Sequence, residues 1–271
     1  MPKSIREQNV DIFNDTLQMI EKDLHLKQVI TESIANQEII PEEQAVAFQP
    51  RFENDAEIIV SRKSSFDAAR AHGGKVCVLN FASATNPGGG VTKGSSAQEE
   101  CLCRCSTLFK NLTDKAAFVK FYQKHREHGN ALHNDDIIYS PGVVLLKSDA
   151  YNNLYSRSRV DVITCAAPNL RPANEYNRER EAAPLLSMDE LIELHKKRAY
   201  KILSVAAAHH ADVVILGAFG CGAFKNDPHA VAEAYKAVLP AFSKCFKKIE
   251  FAVFCRKDDT TNYDTFKEVL A

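Results

Sequence analysis

The sequence predicts an α/β fold, a sandwich with helices on both faces of a central sheet, preceded by an N-terminal helical extension. Three observations lead there. Short apolar runs rich in β-branched residues alternate with longer stretches of helical spacing, the pattern of a sheet covered on both sides. Hydrophobic residues make up 45% and charged residues 25% of 271, enough apolar material for a sizeable core. Glycine is sparse at about 4%, against a usual ~7%, and seven of the eleven sit in two short windows.

Residues Ile5 to Leu24 carry Ile12, Phe13, Leu17, Ile20 and Leu24 along one side, which predicts a helix. Leu26 to Gln37 predicts a second. A proline-containing stretch from Ile40 to Phe52 separates these from the rest, so residues 1–55 are read as the extension and 56–271 as the main domain. Ser64 to His72 predicts a short helix ended by Gly73-Gly74. Lys75 to Ala82 has the length and composition of a buried strand. Helices are expected at Ala97 to Phe109 and Lys115 to His128, then strands at Ile137 to Tyr139, Val143 to Leu146 and Val160 to Ala166. Ser187 to His210 predicts a long helix and Ala211 to Leu216 a buried strand. Asp227 to Phe246 is expected to be helical, Ile249 to Phe254 a strand, and Asn262 to Leu270 a closing helix.

Lys plus Arg number 34 and Asp plus Glu 35, a formal charge of -1. General attraction to nucleic-acid phosphates is therefore not expected, and a polyanion would have to be held by local geometry. The start, Met1-Pro-Lys-Ser-Ile-Arg-Glu, lacks the apolar run of a signal peptide, and no window reaches 18 apolar residues. A cytoplasmic protein without membrane contact is expected, with its eight cysteines as free thiols. Cys101, Cys103 and Cys105 alternate, but on a helix Cys103 points away from the other two and no Cys-x-x-Cys pair or close histidine completes a tetrahedral set. Neither a metal nor a cofactor is expected.

Both glycine windows follow predicted strands and precede predicted helices, the position where open α/β sheets bind ligands. The first runs from Asn80 through Asn86-Pro87-Gly88-Gly89-Gly90 to Gly94 and Gln98-Glu99-Glu100. It is not a nucleotide P-loop, because Ser95 and not lysine follows Gly94. The second, Gly217-Ala218-Phe219-Gly220-Cys221-Gly222-Ala223-Phe224, lacks the Gly-x-Gly-x-x-Gly spacing of dinucleotide-binding enzymes. Two such loops can still clasp one diphosphate, since bare backbone N–H groups and helix N-termini bind phosphate without lysine.

Asn86-Pro87-Gly88-Gly89-Gly90, seven residues, then Gln98-Glu99-Glu100 resembles the signature of bacterial-type poly(ADP-ribose) glycohydrolases, a macrodomain family, and Leu216 to Pro228 resembles that family's second phosphate loop. The resemblance spans about Val76 to Phe254, with Phe219 standing where many relatives carry tryptophan. It implies a macrodomain with a mixed sheet, cleavage of the ribose–ribose O-glycosidic bond of poly(ADP-ribose), and release of ADP-ribose. It also implies that Glu100 protonates the leaving oxygen and then activates water, that Glu99 holds ribose hydroxyls, and that Asn86, Gly88, Gly89, Gly90, Gln98 and residues 217–224 bind substrate. Glycoside cleavage needs a delivered proton and a stabilised oxocarbenium-like sugar, both suited to carboxylic acids. Adjacent helical residues diverge by about 100°, so the two glutamates are expected to have different roles, with one pKa pushed towards neutral. Phe224 either presses on the terminal ribose or packs in the core, and Phe254 either meets adenine or does the same. The alternatives are a hydrolase of mono-ADP-ribose on protein or nucleic acid, and a non-catalytic ADP-ribose reader, which would have no use for the acids.

Overall fold

A computed structural model describes residues 2–148, 154–172 and 183–271. Helix α1 (Ile5–Lys22) opens with a capping box in which Ser4 accepts from the Glu7 amide and Glu7 reaches back to the Ser4 amide. It buries Asn9, Phe13, Thr16 and Ile20 along one face. Asp23 ends it and caps α2 (Leu24–Ala35) through the Leu26 amide. Strands β1 (Glu38–Ile40) and β2 (Glu57–Ser61) follow, then α3 (Ser65–Arg70) and β3 (Val76–Phe81). After the first glycine loop come α4 (Gln98–Cys105), α5 (Leu108–Leu112), α6 (Lys115–Ala117), a π-helical turn (Phe118–Gln123) and α7 (Lys124–His128). Strands β4 (Ile137–Lys147) and β5 (Leu154–Cys165), helix α8 (Met188–Ala208), β6 (Val213–Leu216), α9 (Pro228–Val238), β7 (Lys248–Ala252) and α10 (Thr261–Leu270) complete the described chain.

The seven strands form one mixed sheet in the order β1-β4-β5-β3-β6-β7-β2. Strands β5, β3, β6, β7 and β2 run parallel, while β4 is antiparallel to both neighbours. Apolar side chains of α8, α9 and α10 cover one face, and those of α1 and α3 to α6 the other. The result is an α/β/α sandwich. Leu79 of the central strand is 1% exposed, with Val78 on the opposite face at 0%, so β3 is anchored in both layers and fixes where the first glycine loop leaves the sheet.

Several elements differ from expectation, each for a local reason. Strands β1 and β2 were not anticipated; they are short edge strands, half exposed, whose pairing comes from distant partners and not from their own pattern. β1 also ties the segment 1–55 into the sheet, through Glu38 opposite Tyr139. The two strands expected on either side of Pro141 are one strand, because Pro141-Gly142 sits at a register shift where Gly142 takes φ 66 and donates to Asp161. The helix expected from Ala97 to Phe109 breaks at Ser106, which turns extended as Thr107 exchanges hydrogen bonds with Val144. Asp227 to Phe246 divides where Pro240 enters a 3₁₀ turn.

Leu79→Ala removes a buried side chain from the strand that carries the loop, and a loss of about 2–5 kcal/mol in urea unfolding is expected. A loss under about 1 kcal/mol would mean that β3 is not the rigid centre of the sheet.

Candidate active site

Strands β3, β5, β6 and β7 are parallel, so their C-terminal ends share one edge of the sheet. The loops leaving them enclose a cleft of about 890 Å³, within the range of small-molecule sites. Its walls include Asn86, Gly89 and Gly90 from the first glycine loop, Gln98, Glu99 and Glu100 from the start of α4, and Ala218, Gly220, Gly222, Ala223 and Phe224 from the second.

Gln98 spends both ends of its amide on scaffold. Its Oε1 accepts from the Phe81 amide at 2.9 Å, and its Nε2 donates to the Leu79 carbonyl at 2.8 Å and to Ser65 at 3.1 Å. The first residue of α4 is thereby locked to the end of β3, and the two glutamates that follow inherit their position.

Both carboxylates fold back onto backbone amides. Glu99, 3% exposed, accepts from the Ser83 amide at 2.7 Å and lies 3.4 Å from the Asn80 side-chain nitrogen. Glu100, 8% exposed, accepts from the Gly90 amide at 2.8 Å. The pair diverges as the helical geometry demands, yet both line the cleft. Burial pushes the Glu99 pKa up to about 8, aided by the neighbouring Glu100 charge and opposed by its backbone and Asn80 hydrogen bonds. Glu99 therefore keeps its proton at neutral pH.

Glycine is required where the acids touch the loop. Gly89 has φ +58, and a Cβ there would lie 2.5 Å from Glu100 Oε1 and 3.1 Å from Glu99 Oε2. In the second loop Gly220 has φ +80, and a Cβ would strike Asn226 and Ala167. Asn226, 3% exposed, latches that loop: its Nδ2 donates to the carbonyls of Pro168 at 2.7 Å and Gly220 at 3.1 Å, and its Oδ1 faces His195 Nε2 at 2.8 Å. Burial lowers the His195 pKa to about 4, so it meets Asn226 as a neutral donor.

The expected binding residues do not all reach the cleft. Gly88, Gly217, Phe219 and Cys221 stand behind it. Phe219 is 1% exposed and packs against Phe81 at 5.5 Å between ring centroids. Phe224 is half-buried, both packed on the core and lining the cleft, with Arg171 at 5.4 Å over its ring and His133 at 6.2 Å. Phe254 is 70% exposed and lines the cleft just beyond β7, which ends at Ala252; the core alternative does not apply to it. Sequence reasoning missed His133, Arg171, Phe66 and Asn262, all of which line the cleft. Only the Ser64-to-Asp67 start of α3, where Ser64 accepts from the Asp67 amide, carried a local signal; the others arrive from separate loops. Among the described residues no group of three or more His, Cys, Asp or Glu is arranged to hold a metal, and no helix is long and apolar enough to cross a membrane.

An acid pair between two glycine loops, at the strand ends of an α/β/α sandwich, is the arrangement of a glycosidase. Residues 8–148 match the family described as microbial-type PARG, catalytic domain. Poly(ADP-ribose) glycohydrolase from Thermomonospora curvata superposes with a TM-score of 0.84 at 28% identity, covering 97% of this chain and 100% of that one. The same organism's enzyme bound to the inhibitor ADP-HPD gives 0.81 at 28% identity, with 97% and 99% covered. The Deinococcus radiodurans enzyme in complex with ADP-ribose gives 0.74 at 30% identity, with 89% and 96% covered. No curated protein matches the sequence. The chain belongs to the microbial-type poly(ADP-ribose) glycohydrolase family.

Because the folded chain keeps a proton on Glu99 that the unfolded chain releases above its ordinary carboxylate pKa, stability contributed at low pH is lost as pH rises through about 8. The melting temperature of the parent is expected to fall between about pH 5 and pH 8.5 relative to Glu99→Gln, which cannot ionise. Parallel melting curves across that window would contradict a buried, proton-retaining Glu99.

Proposed function

We propose that the chain hydrolyses the ribose–ribose O-glycosidic bond of poly(ADP-ribose) and releases ADP-ribose, with Glu100 as the proton donor and Glu99 as the group that holds ribose hydroxyls. The observation that carries this reading is the pair of buried carboxylates on the amides of a glycine loop. A glycosidic oxygen must be protonated as it leaves, and the sugar it leaves behind carries positive charge. Glu100 gives its proton to the leaving ribose oxygen and, as a carboxylate, faces the developing charge before taking a proton from the attacking water. Glu99, neutral in its dry pocket, has one O–H to donate and oxygens left to accept, the combination a ribose diol requires.

The backbone of Gly220 and Gly222 receives the diphosphate, while Gly89 and Gly90, whose amides already bond Asn86 and Glu100, let it approach closely because they carry no side chains. Phe224 presses the terminal ribose towards Glu100, Asn86 offers its amide to that ribose from the rim, and the exposed ring of Phe254 stacks on adenine. Water is the only co-reactant. A cytoplasmic setting suits the eight free cysteines, and ADP-ribosylated macromolecules are the partners this chemistry implies. A mere reader of ADP-ribose would gain nothing from two desolvated acids, each of which costs stability to bury.

Incubation with purified poly(ADP-ribose) and, separately, with mono-ADP-ribosylated protein, followed by chromatography, tests the reading. Free ADP-ribose from the polymer is expected; release from the mono-modified protein alone would overturn it. Glu100→Gln keeps size and hydrogen bonding but has no proton to transfer, so polymer turnover should drop about 10²–10⁴-fold while ADP-ribose still binds. Turnover within about threefold of the parent would remove Glu100 from the mechanism.

A further inference from the structure

Helix α1 touches both the loop that leads into the acids and the helix that carries them, and it does so with polar groups. Asn9, 8% exposed, donates from Nδ2 to the Gly94 carbonyl at 3.0 Å. Gly94 takes φ +74 and lies directly against the Arg6 carbonyl of the same helix, leaving no room for a Cβ. Seven residues after Asn9, Thr16 is 1% exposed and its hydroxyl donates to the Arg104 carbonyl near the end of α4 at 2.6 Å. Between them Phe13 meets Phe109 edge-on at 5.0 Å, and the Phe109 ring occupies the space beside Gly88. The helix is itself held in place, since the fully buried Lys147 ammonium bonds the Ile12 carbonyl at 3.1 Å and the Asp15 carboxylate at 2.5 Å.

One face of α1 therefore grips the segment 88–104 directly at Gly94 and Arg104, and reaches Gly88 through Phe109. The path from there to the acids is short. The Ser95 amide donates to the Gly90 carbonyl at 3.2 Å, Arg104 returns to the Ser95 carbonyl at 3.0 Å, and the Gly90 amide holds Glu100. A packing face needs no amide or hydroxyl, and burying one is unfavourable unless it is bonded. Here both are bonded, and both to carbonyls of the segment that bears Glu99 and Glu100.

We infer that α1 is a positioning element of the active site, with Asn9 and Thr16 as positioning residues that set the loop from Gly88 to Gly94 and thereby aim Glu100. The claim about turnover rests on the glycohydrolase reading; the claim about the loop stands on these contacts alone.

The test uses the full chain. Asn9→Asp keeps the shape but turns a carboxylate towards the Gly94 carbonyl, Thr16→Val removes only the hydroxyl, and Thr16→Ser retains it. For Asn9→Asp and Thr16→Val, kcat on poly(ADP-ribose) should fall about tenfold or more with KM within about threefold, since small misplacement of a reacting group is costly. Hydrogen exchange at amides 88–95 should quicken by about tenfold in the same two variants, while Thr16→Ser stays within about twofold of the parent in both readouts. Parent-like kcat and exchange in Asn9→Asp and Thr16→Val would overturn the inference, and so would equal losses in Thr16→Ser and Thr16→Val, which would mark packing and not the hydrogen bond. Should Asn9→Asp fail to fold, Asn9→Ala takes its place with the same outcomes. If the parent itself does not turn over polymer, the glycohydrolase reading falls, and exchange alone decides the role of α1.

Discussion

Two buried carboxyl groups must each be answered by a donor, and the Gly90 and Ser83 amides are the donors that answer Glu100 and Glu99. Much of the site follows from this requirement. The loop must curl back over the start of α4, which Gly89 permits through its positive φ and its missing side chain. Helix α4 must begin where β3 ends, which Gln98 enforces by bonding to both Phe81 and Leu79. Burial of Glu99 then leaves it protonated at neutral pH.

The opposite wall is organised from α8. His195 and Arg198 lie one turn apart on that helix, and both are buried. His195 holds Asn226, which ties the second glycine loop to the Pro168 carbonyl. Arg198 bonds the carbonyls of Ala166 at 2.8 Å and Leu132 at 3.2 Å and the carboxylate of Asp135 at 2.7 Å. Phe224, His133 and Arg171 thus reach the cleft on three loops that share one helical anchor. Polar groups buried this deeply are favourable only when every loop is in register, so the wall is fixed by hydrogen bonds and not by packing alone.

The alternation of strands and helices was legible in the sequence because periodicity is local, and the glycine windows were legible because a glycine-poor chain had gathered them. What tertiary structure alone decides was not. The edge strands β1 and β2 have too few buried residues to leave a pattern, and Pro141 reads as a break although a bulge accommodates it within β4. In the site, adjacency in sequence misled in one direction and distance in the other. Phe219 and Cys221 lie inside a binding motif yet face the core, because a tight loop alternates the sides it presents. His133 and Arg171 lie far from either motif and have no local signal. That a glutamate of the pair would have its pKa pushed towards neutral followed from burial and like charge; that Glu99 is so shifted depends on the depth at which α4 sets it.

The proposed diphosphate site lies between the two glycine loops, with Gly220 and Gly222 as backbone donors on one side and the side-chain-free Gly89 and Gly90 close on the other. Titrating isotope-labelled chain with ADP-ribose and following the amide resonances by NMR tests it most directly. The amides of Gly89 and Gly90 in one loop and Gly220 and Gly222 in the other should shift together, along saturation curves with a common Kd. Shifts confined to one loop, or two loops saturating at different concentrations, would contradict a shared site.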